Sequence, residues 1–368
     1  VIEGIDFLPH SVQFYRQQLQ WLGGMGIIVL AVAILPILGV GGMQLYRAET
    51  PGPVKDNKMT PRIADTAKHL WYIYLSITIA CAASYWLAGM NVFDAICHSF
   101  STVAIGGFSN HDASLGYFNS PMVNIVCTVF LLIAALNFSL HYAAVSSRSV
   151  RGYFKDPEFK AFFIIQAFLI GICFFVLTLS GYYSSAEQAL DQAMIQAVSI
   201  STTAGFATTD FSVWPTFLPI LLIFSSFIGG CASSTGGGLK VVRVCLLFLQ
   251  GKREVDRLIH PKAVYSVKFG DRAMPDKVVE AVWGFFSAYA VVFVIIMIGL
   301  IATGLDNLSA FTATTAMLNN LGPGLGSVAA NYADVTDAGK WILVVAMVFG
   351  RLEVFSLLVL FSPTFWRS

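Results

Sequence analysis

Charge is what this sequence has least of. Among its 368 residues only 12% are Asp, Glu, Lys or Arg, where a soluble globular chain carries about a quarter. So few charged groups cannot cover a water-facing surface, which excludes a soluble protein and leaves a polytopic membrane one. Charge of one sign is lacking too: 22 basic and 21 acidic side chains leave a net +1. That sum argues neither for nor against an acidic partner, and nucleic acid is not expected as one. Paired cysteines are missing. Cys81, Cys97, Cys127, Cys173, Cys231 and Cys245 stand singly, mostly in apolar runs, and read as buried free thiols rather than a disulfide, metal or redox site. His10, His69, His98, His141 and His260 lack ligand spacing, and His111 reads as a solvated loop residue. No nucleophile stands with a base and no catalytic acids pair, so an enzyme has no site to stand on. The opening VIEGIDFLPHS is neither a signal peptide nor a helix start, and the expectation is that these residues are the tail of a longer chain.

What the chain has instead is apolar runs, 56% of it being hydrophobic with a mean hydropathy of +0.71. Gln18 to Val40 is long enough to cross a hydrocarbon core of about 30 Å, and Gly23, Gly24 and Gly26 within it allow close helix approach. Further spans are expected at Leu70 to Leu87, Met122 to Val145, Phe159 to Leu179, Phe217 to Gly229 continuing after a break to Gln250, Ala281 to Thr303, and Trp341 to Phe361.

Between spans lie segments too short and too polar to cross. Asp94 to Ile105 is followed by GGFSNHD, Glu187 to Ala204 by GFATTD, and Asp306 to Leu321 by GPGLGS. Each reads as a half-membrane helix entered at an acid, in an N-cap or first-turn role, and left at glycine. Aligning Gly107, Gly205 and Gly322 pairs Phe108 with Phe206 and Asp112 with Asp210, while the last copy has Pro323 and Ser327 there. A unit of span, short helix, glycine loop and span therefore recurs three times. VIEGIDFLP resembles FATTDFSVWP, with Glu3 at the acid, which predicts a first glycine just upstream of Val1. The expected fold is an all-α polytopic membrane protein of pseudo-fourfold repeats: residues 1–50 the rest of repeat 1, 51–150 repeat 2, 151–258 repeat 3 and 259–368 repeat 4.

The chemistry such loops offer is cation coordination. A dehydrated cation needs backbone carbonyl or hydroxyl oxygens in place of water, and glycine lets the backbone aim them inward. The helix before each loop points its negative end at the ion. Glu3, Asp112 and Asp210, just beyond, would concentrate cations at an outer mouth. The alternative is that the glycines only make tight turns. All Lys and Arg residues except Arg16, Lys340 and Arg351 fall on the side opposite the glycine loops, which turns the loops outward.

Two further features stand out. Gly229 to Lys240, GGCASSTGGGLK, interrupts a span. It departs from a phosphate loop, since five residues separate Gly230 from Gly236 and Lys240 follows a Leu. It reads either as a packing kink or as a flexible intramembrane loop able to obstruct a conduction path. Arg351 lies within an apolar span, either in a structural ion pair or as a positive barrier beside the path.

Taken together, WLGGMGIIVLAVAILP, FSTVAIGGFSNHD, ISTTAGFATTDF, FIGGCASSTGGGLK, EAVWGFFSAY, LNNLGPGLG and FGRLEVFSLLVLF, running from Trp21 to Phe361, resemble the membrane subunits of Trk-type potassium uptake systems, in the Trk/Ktr/HKT superfamily of cation transporters. The resemblance implies four pore-loop repeats around one path, assembly as a homodimer, and K⁺ uptake gated by a cytosolic nucleotide-binding ring subunit of the TrkA kind. It implies a bacterial inner membrane, filters toward the periplasm, K⁺ as the transported ion and no organic cofactor on this chain. By position, the filter falls on Ile105, Gly106 and Gly107, on Thr203, Ala204 and Gly205, and on Asn320, Leu321 and Gly322. The gate falls on Gly229, Gly230, Cys231, Ala232, Ser233, Ser234, Thr235, Gly236, Gly237 and Gly238, with Arg351 facing the pore. An alternating-access symporter coupling K⁺ to H⁺ or Na⁺ and a purely regulatory membrane subunit are the competing readings.

Overall fold

A computed structural model describes residues 4–29, 63–352 and 354. Glu3, the second half of the first expected span, most of the basic linker after it and most of the last span beyond Leu352 lie outside the described residues.

The described chain is helical apart from one two-stranded hairpin. In order it runs α1 (His10–Val29), α2 (Ile63–Leu87), α3 (Val92–Val103), α4 (Pro121–Ala134), α5 (Phe138–Ser147), α6 (Arg151–Lys155), α7 (Pro157–Leu179), α8 (Ala186–Ser201), α9 (Leu218–Ser225), α10 (Val241–Ile259), β1 (Lys268–Phe269), β2 (Arg272–Ala273), α11 (Asp276–Ala302), α12 (Asn307–Leu318) and α13 (Asp337–Arg351). Among the described residues three helices are long and apolar enough to cross a bilayer unbroken: Ala67–Leu87, Pro157–Leu179 and Asp276–Ala302. Their outward residues are as apolar as their inward ones. On α7, Phe162, Leu169, Cys173 and Leu177 are buried, whereas Ile164, Phe168 and Phe175 are exposed, the all-round hydrophobicity of a helix whose outer face meets lipid.

The expected span from Met122 to Val145 is not one helix. It breaks between α4 and α5 with a bend of 88°, because the Asn137 side chain accepts from the Ser139 N–H at 2.8 Å and restarts the helix there. The span expected to resume after Gly229 is likewise short: α9 ends at Ser225 and α10 begins at Val241. Chain that leaves a helix at membrane depth must find other hydrogen-bond partners, and these two breaks find one another, as described below.

The short helices α3, α8 and α12 lie inside the bundle, each with a side-chain N-cap. Asn91 accepts from Asp94 N, Ser185 from Gln188 N and Asp306 from Ser309 N. Asp94 and Glu187 occupy the first turns, so all three acids do helix-start duty. The buried hydroxyls of these helices bond mostly at home. Thr202 donates to Val198 O at 2.6 Å, Thr314 to Ala310 O at 2.8 Å and Thr315 to Phe311 O at 2.9 Å, which satisfies them without an ion.

Of the three glycines in α1, one makes the expected close approach. A Cβ on Gly24 would stand 2.8 Å from the Tyr74 hydroxyl and 3.1 Å from Ala104 Cβ, whereas Gly23 and Gly26 face open space. Gly24→Val should therefore destabilise the purified protein in detergent by about 1–3 kcal/mol, the cost of overpacking; unfolding curves that superimpose on wild type would remove Gly24 from the packing.

Candidate ion filter and gate

Helices α3, α8 and α12 end in the same way. Ile105, Thr203 and Asn320 take left-handed conformations, with φ of 52°, 69° and 58°. Each N–H bonds three residues back, to Thr102 O, Ile200 O and Met317 O, and the next N–H bonds five back: Gly106 to Ser101 O, Ala204 to Ser199 O, Leu321 to Ala316 O, at 2.7–2.8 Å. This is the Schellman termination, made without glycine at the left-handed position. For β-branched Ile105 and Thr203 that conformation is an outlier which costs about 1–3 kcal/mol and persists only where surrounding structure imposes it.

Two residues on, Gly107, Gly205 and Gly322 again have positive φ, 72°, 82° and 105°. At the first two, close approach adds a second requirement. A Cβ on Gly107 would overlap the Ala204 carbonyl, and one on Gly205 the Leu321 carbonyl, while Gly322 faces open space among the described residues. The three loops thus abut in turn, Gly107 against the second loop's carbonyl and Gly205 against the third's. Sequence reasoning missed Gln20, whose Nε2 donates to Gly106 O at 2.9 Å while its Oε1 accepts from Ser101 at 3.0 Å. Only a span-to-loop contact map could have singled it out. A cavity of 770 Å³ opens beside these loops, lined by Gln20, Ile105, Gly106, Asn320, Gly322 and Arg351 among others.

The acids expected at an outer mouth are committed to backbone. Asp112 accepts from Gly4 N at 3.1 Å and Ile5 N at 3.0 Å, and Asp210 caps the turn Phe211–Val213 through Ser212 N at 2.8 Å. Glu3 lies outside the described residues. His111, expected to be solvated, is instead held between carboxylates, with Nδ1 2.6 Å from Asp6 and Nε2 3.2 Å from Asp94, and stacks on Tyr117 at 3.5 Å. The Asp112 N–H and then His111 hold the Asp6 carboxyl below the usual carboxylate range.

The Gly-rich segment lies directly against the inner ends of the three loops. Gly237 N donates to Thr203 Oγ1 at 2.7 Å, and Thr235 Oγ1 to Val103 O at 3.0 Å. A Cβ on Gly237 would overlap the Asn319 carbonyl, and one on Gly236 would come within 3.0 Å of Thr202 O. The α4–α5 break supplies the rest. Cys231 N donates to Ala135 O at 2.8 Å, and Phe138 N to Ser233 O at 3.2 Å. Cationic side chains hold the segment's carbonyls: Arg351 Nη1 donates to Thr235 O at 3.0 Å, Lys240 Nζ to Gly236 O, and Arg243 Nη1 to Leu239 O at 3.4 Å. Lys240 and Arg243 were not among the expected gate residues, because their adjacency to the break says nothing of where they reach. Arg351, expected in an ion pair or beside the path, meets loop backbone.

Thr235→Val keeps the shape and removes the donor to Val103 O. It should cost about 1–3 kcal/mol of stability, the range for stranding a buried polar group, while Thr235→Ser stays near wild type; equal unfolding midpoints for valine and serine would show that the hydroxyl bond contributes nothing.

Known proteins agree with this architecture. The family model described as "TrkH: Cation transport protein" matches residues 1–368. The Trk system potassium uptake protein TrkH of Vibrio parahaemolyticus is 67% identical over all of this chain and 76% of its own length. The protein of that name from Escherichia coli K12 is 62% identical over 99% of this chain and 76% of its own. The crystal structure of the potassium transporter TrkH from Vibrio parahaemolyticus superposes with a TM-score of 0.91 at 63% identity, covering all of this chain and 75% of that one. The resemblance read from the motifs is borne out, and with it the expectation of a transporter rather than an enzyme. The chain belongs to the TrkH family of cation transport proteins.

Proposed function

We propose that this chain conducts K⁺ into the cell along a channel-like path in a bacterial inner membrane. The observation that carries the proposal is the threefold recurrence of one strained loop geometry, with glycine two residues past a left-handed Ile105, Thr203 or Asn320. Strain repeated at equivalent positions is strain maintained for a use. Carbonyls of Ile105 to Gly107, Thr203 to Gly205 and Asn320 to Gly322 replace the water of K⁺. Asp112 and Asp210 act at the outer mouth as caps that fix its shape.

The segment Gly229 to Gly238 is the gate in this reading. Its contacts with Thr203 and Asn319 set it across the inner end of the filter, and Arg351, Lys240 and Arg243 place positive charge where a cation would leave. The excess of Lys and Arg on the gate side supports filters facing the periplasm, and in this reading the chain works as a homodimer under a cytosolic nucleotide-binding ring subunit. A carrier reading has one observation in its favour: two spans broken at membrane depth and interlocked, as at the central sites of alternating-access transporters. Reversal potentials in liposomes separate the two, since a fixed coupling ratio to H⁺ or Na⁺ belongs to a symporter.

Gly205→Val should abolish Rb⁺ uptake while the protein still inserts and assembles, because its side chain would occupy the space of the Leu321 carbonyl. Undiminished flux with unaltered ion preference would sink the filter assignment. Deletion within Cys231 to Gly236 should raise basal flux, and an unchanged flux would leave the segment a packing element.

A further inference from the structure

Glu158 lies in the first turn of α7, in the run Asp156–Pro157–Glu158. An acid there ordinarily faces water and favours the helix dipole. This one is 6% exposed. One carboxylate oxygen, Oε1, accepts from Ala232 N at 2.7 Å and from Val242 N at 3.2 Å. Those two N–H groups flank the Gly-rich segment: Ala232 follows its entry through Gly229 to Cys231, and Val242 stands in the first turn of α10, where no intrahelical acceptor exists. Lys240 is an opposing charge near the carboxylate, and Asp156 a like one. The adjacent Pro157 packs against the β1–β2 hairpin, where a Cβ on Gly270 would stand 3.1 Å from Pro157 Cγ. Val267 and Phe269 of the hairpin region share one apolar cluster with Ala232 and Val242.

We propose that Glu158 is a positioning residue of the gate, a two-point clamp whose single carboxylate oxygen pins both ends of the Gly-rich segment beneath the filter. The proposal rests on the reading of that segment as a gate. Arg351, Lys240 and Arg243 hold carbonyls in the middle and toward the exit; Glu158 holds the N–H groups at the ends. Shifting the segment as a unit requires both bonds to Glu158 to open together, because they meet at one atom. Releasing either bond strands a buried N–H, so the clamp resists partial displacement at either end. Its anchor lies at the start of α7, against the hairpin on the Lys- and Arg-rich side, so movement of that corner is transmitted to both ends of the segment at once.

The test compares the full-length protein with Glu158→Ala and Glu158→Gln in lipid vesicles. It reads backbone hydrogen exchange of peptides covering residues 231–242 alongside Rb⁺ flux. Exchange in that segment should quicken about tenfold in Glu158→Ala, the effect of leaving buried N–H groups without their acceptor. It should rise less in Glu158→Gln, which keeps a neutral acceptor, and exchange in α8 and α11 should stay unchanged. Loop exchange unaltered in both variants would overturn the clamp. So would an increase spread equally over α8 and α11, which would make Glu158 a general packing residue. Where Glu158→Ala fails to assemble, Glu158→Gln alone carries the same two outcomes. Faster loop exchange with unchanged flux would uphold the clamp and refute the gate reading, which keeps the two failures apart.

Discussion

Backbone groups at membrane depth have no water to bond to, and the structure is arranged around that constraint. A continuous helix meets it alone, as α2, α7 and α11 do. Where the chain abandons the helix, each freed N–H and C=O needs a partner brought from elsewhere. Here the partners come from a second abandonment. The break between α4 and α5 exposes Ala134 and Ala135 carbonyls and the Phe138 N–H; the break between α9 and α10 supplies Thr235 Oγ1, Cys231 N and Ser233 O. Neither break is tenable without the other. That mutual dependence fixes the Gly-rich segment beneath the short helices more firmly than its glycine content would suggest.

The same constraint governs the ends of α3, α8 and α12. Their last turns close through backbone bonds to Ser101 O and Thr102 O and to the matching carbonyls of the other two helices, Val103 O accepts from Thr235 Oγ1, and the chain turns away through a left-handed residue. The strain at Ile105 and Thr203 is offset by burial among pore-helix neighbours and by bonds such as Ser199 Oγ to Phe206 O at 2.8 Å. Rigid surroundings hold a costly loop in place, which in the proposed reading would let its carbonyls discriminate between ions.

Much of this was legible in the sequence, and what was not has a common cause. The spans were visible because hydropathy is a property of a run; the short helices were visible because an acid or hydroxyl precedes and a glycine follows each. Repetition made the glycine loops readable, since one copy alone is an ordinary turn. Met122 to Val145 was misread as one span because Asn137 is a single polar residue in an apolar run, and its capping role exists only where the Gly-rich segment takes up the carbonyls it frees. Gln20 and Glu158 escaped for the same reason. A glutamine in a span and a glutamate in a first turn look ordinary until tertiary structure brings them to Gly106 and to Ala232. His111 was misjudged because its partners Asp6 and Asp94 are 105 and 17 residues away.

Charge placement links the proposed filter to the proposed gate. The Gly-rich segment is a peptide with its polarity pinned: cations sit on the carbonyls of Thr235, Gly236 and Leu239, the Glu158 carboxyl on the N–H groups of Ala232 and Val242, and the Thr203 hydroxyl on that of Gly237. The carbonyls of Thr235, Gly236 and Leu239 are engaged by Arg351, Lys240 and Arg243. In the proposed reading a K⁺ leaving the filter would meet fixed positive charge and these occupied oxygens together. Displacing the segment would release both obstacles in one movement. The Gly237 N–H to Thr203 Oγ1 bond ties the segment to the residue held at φ 69°, so in the proposed reading a displaced segment would take a partner from a strained turn.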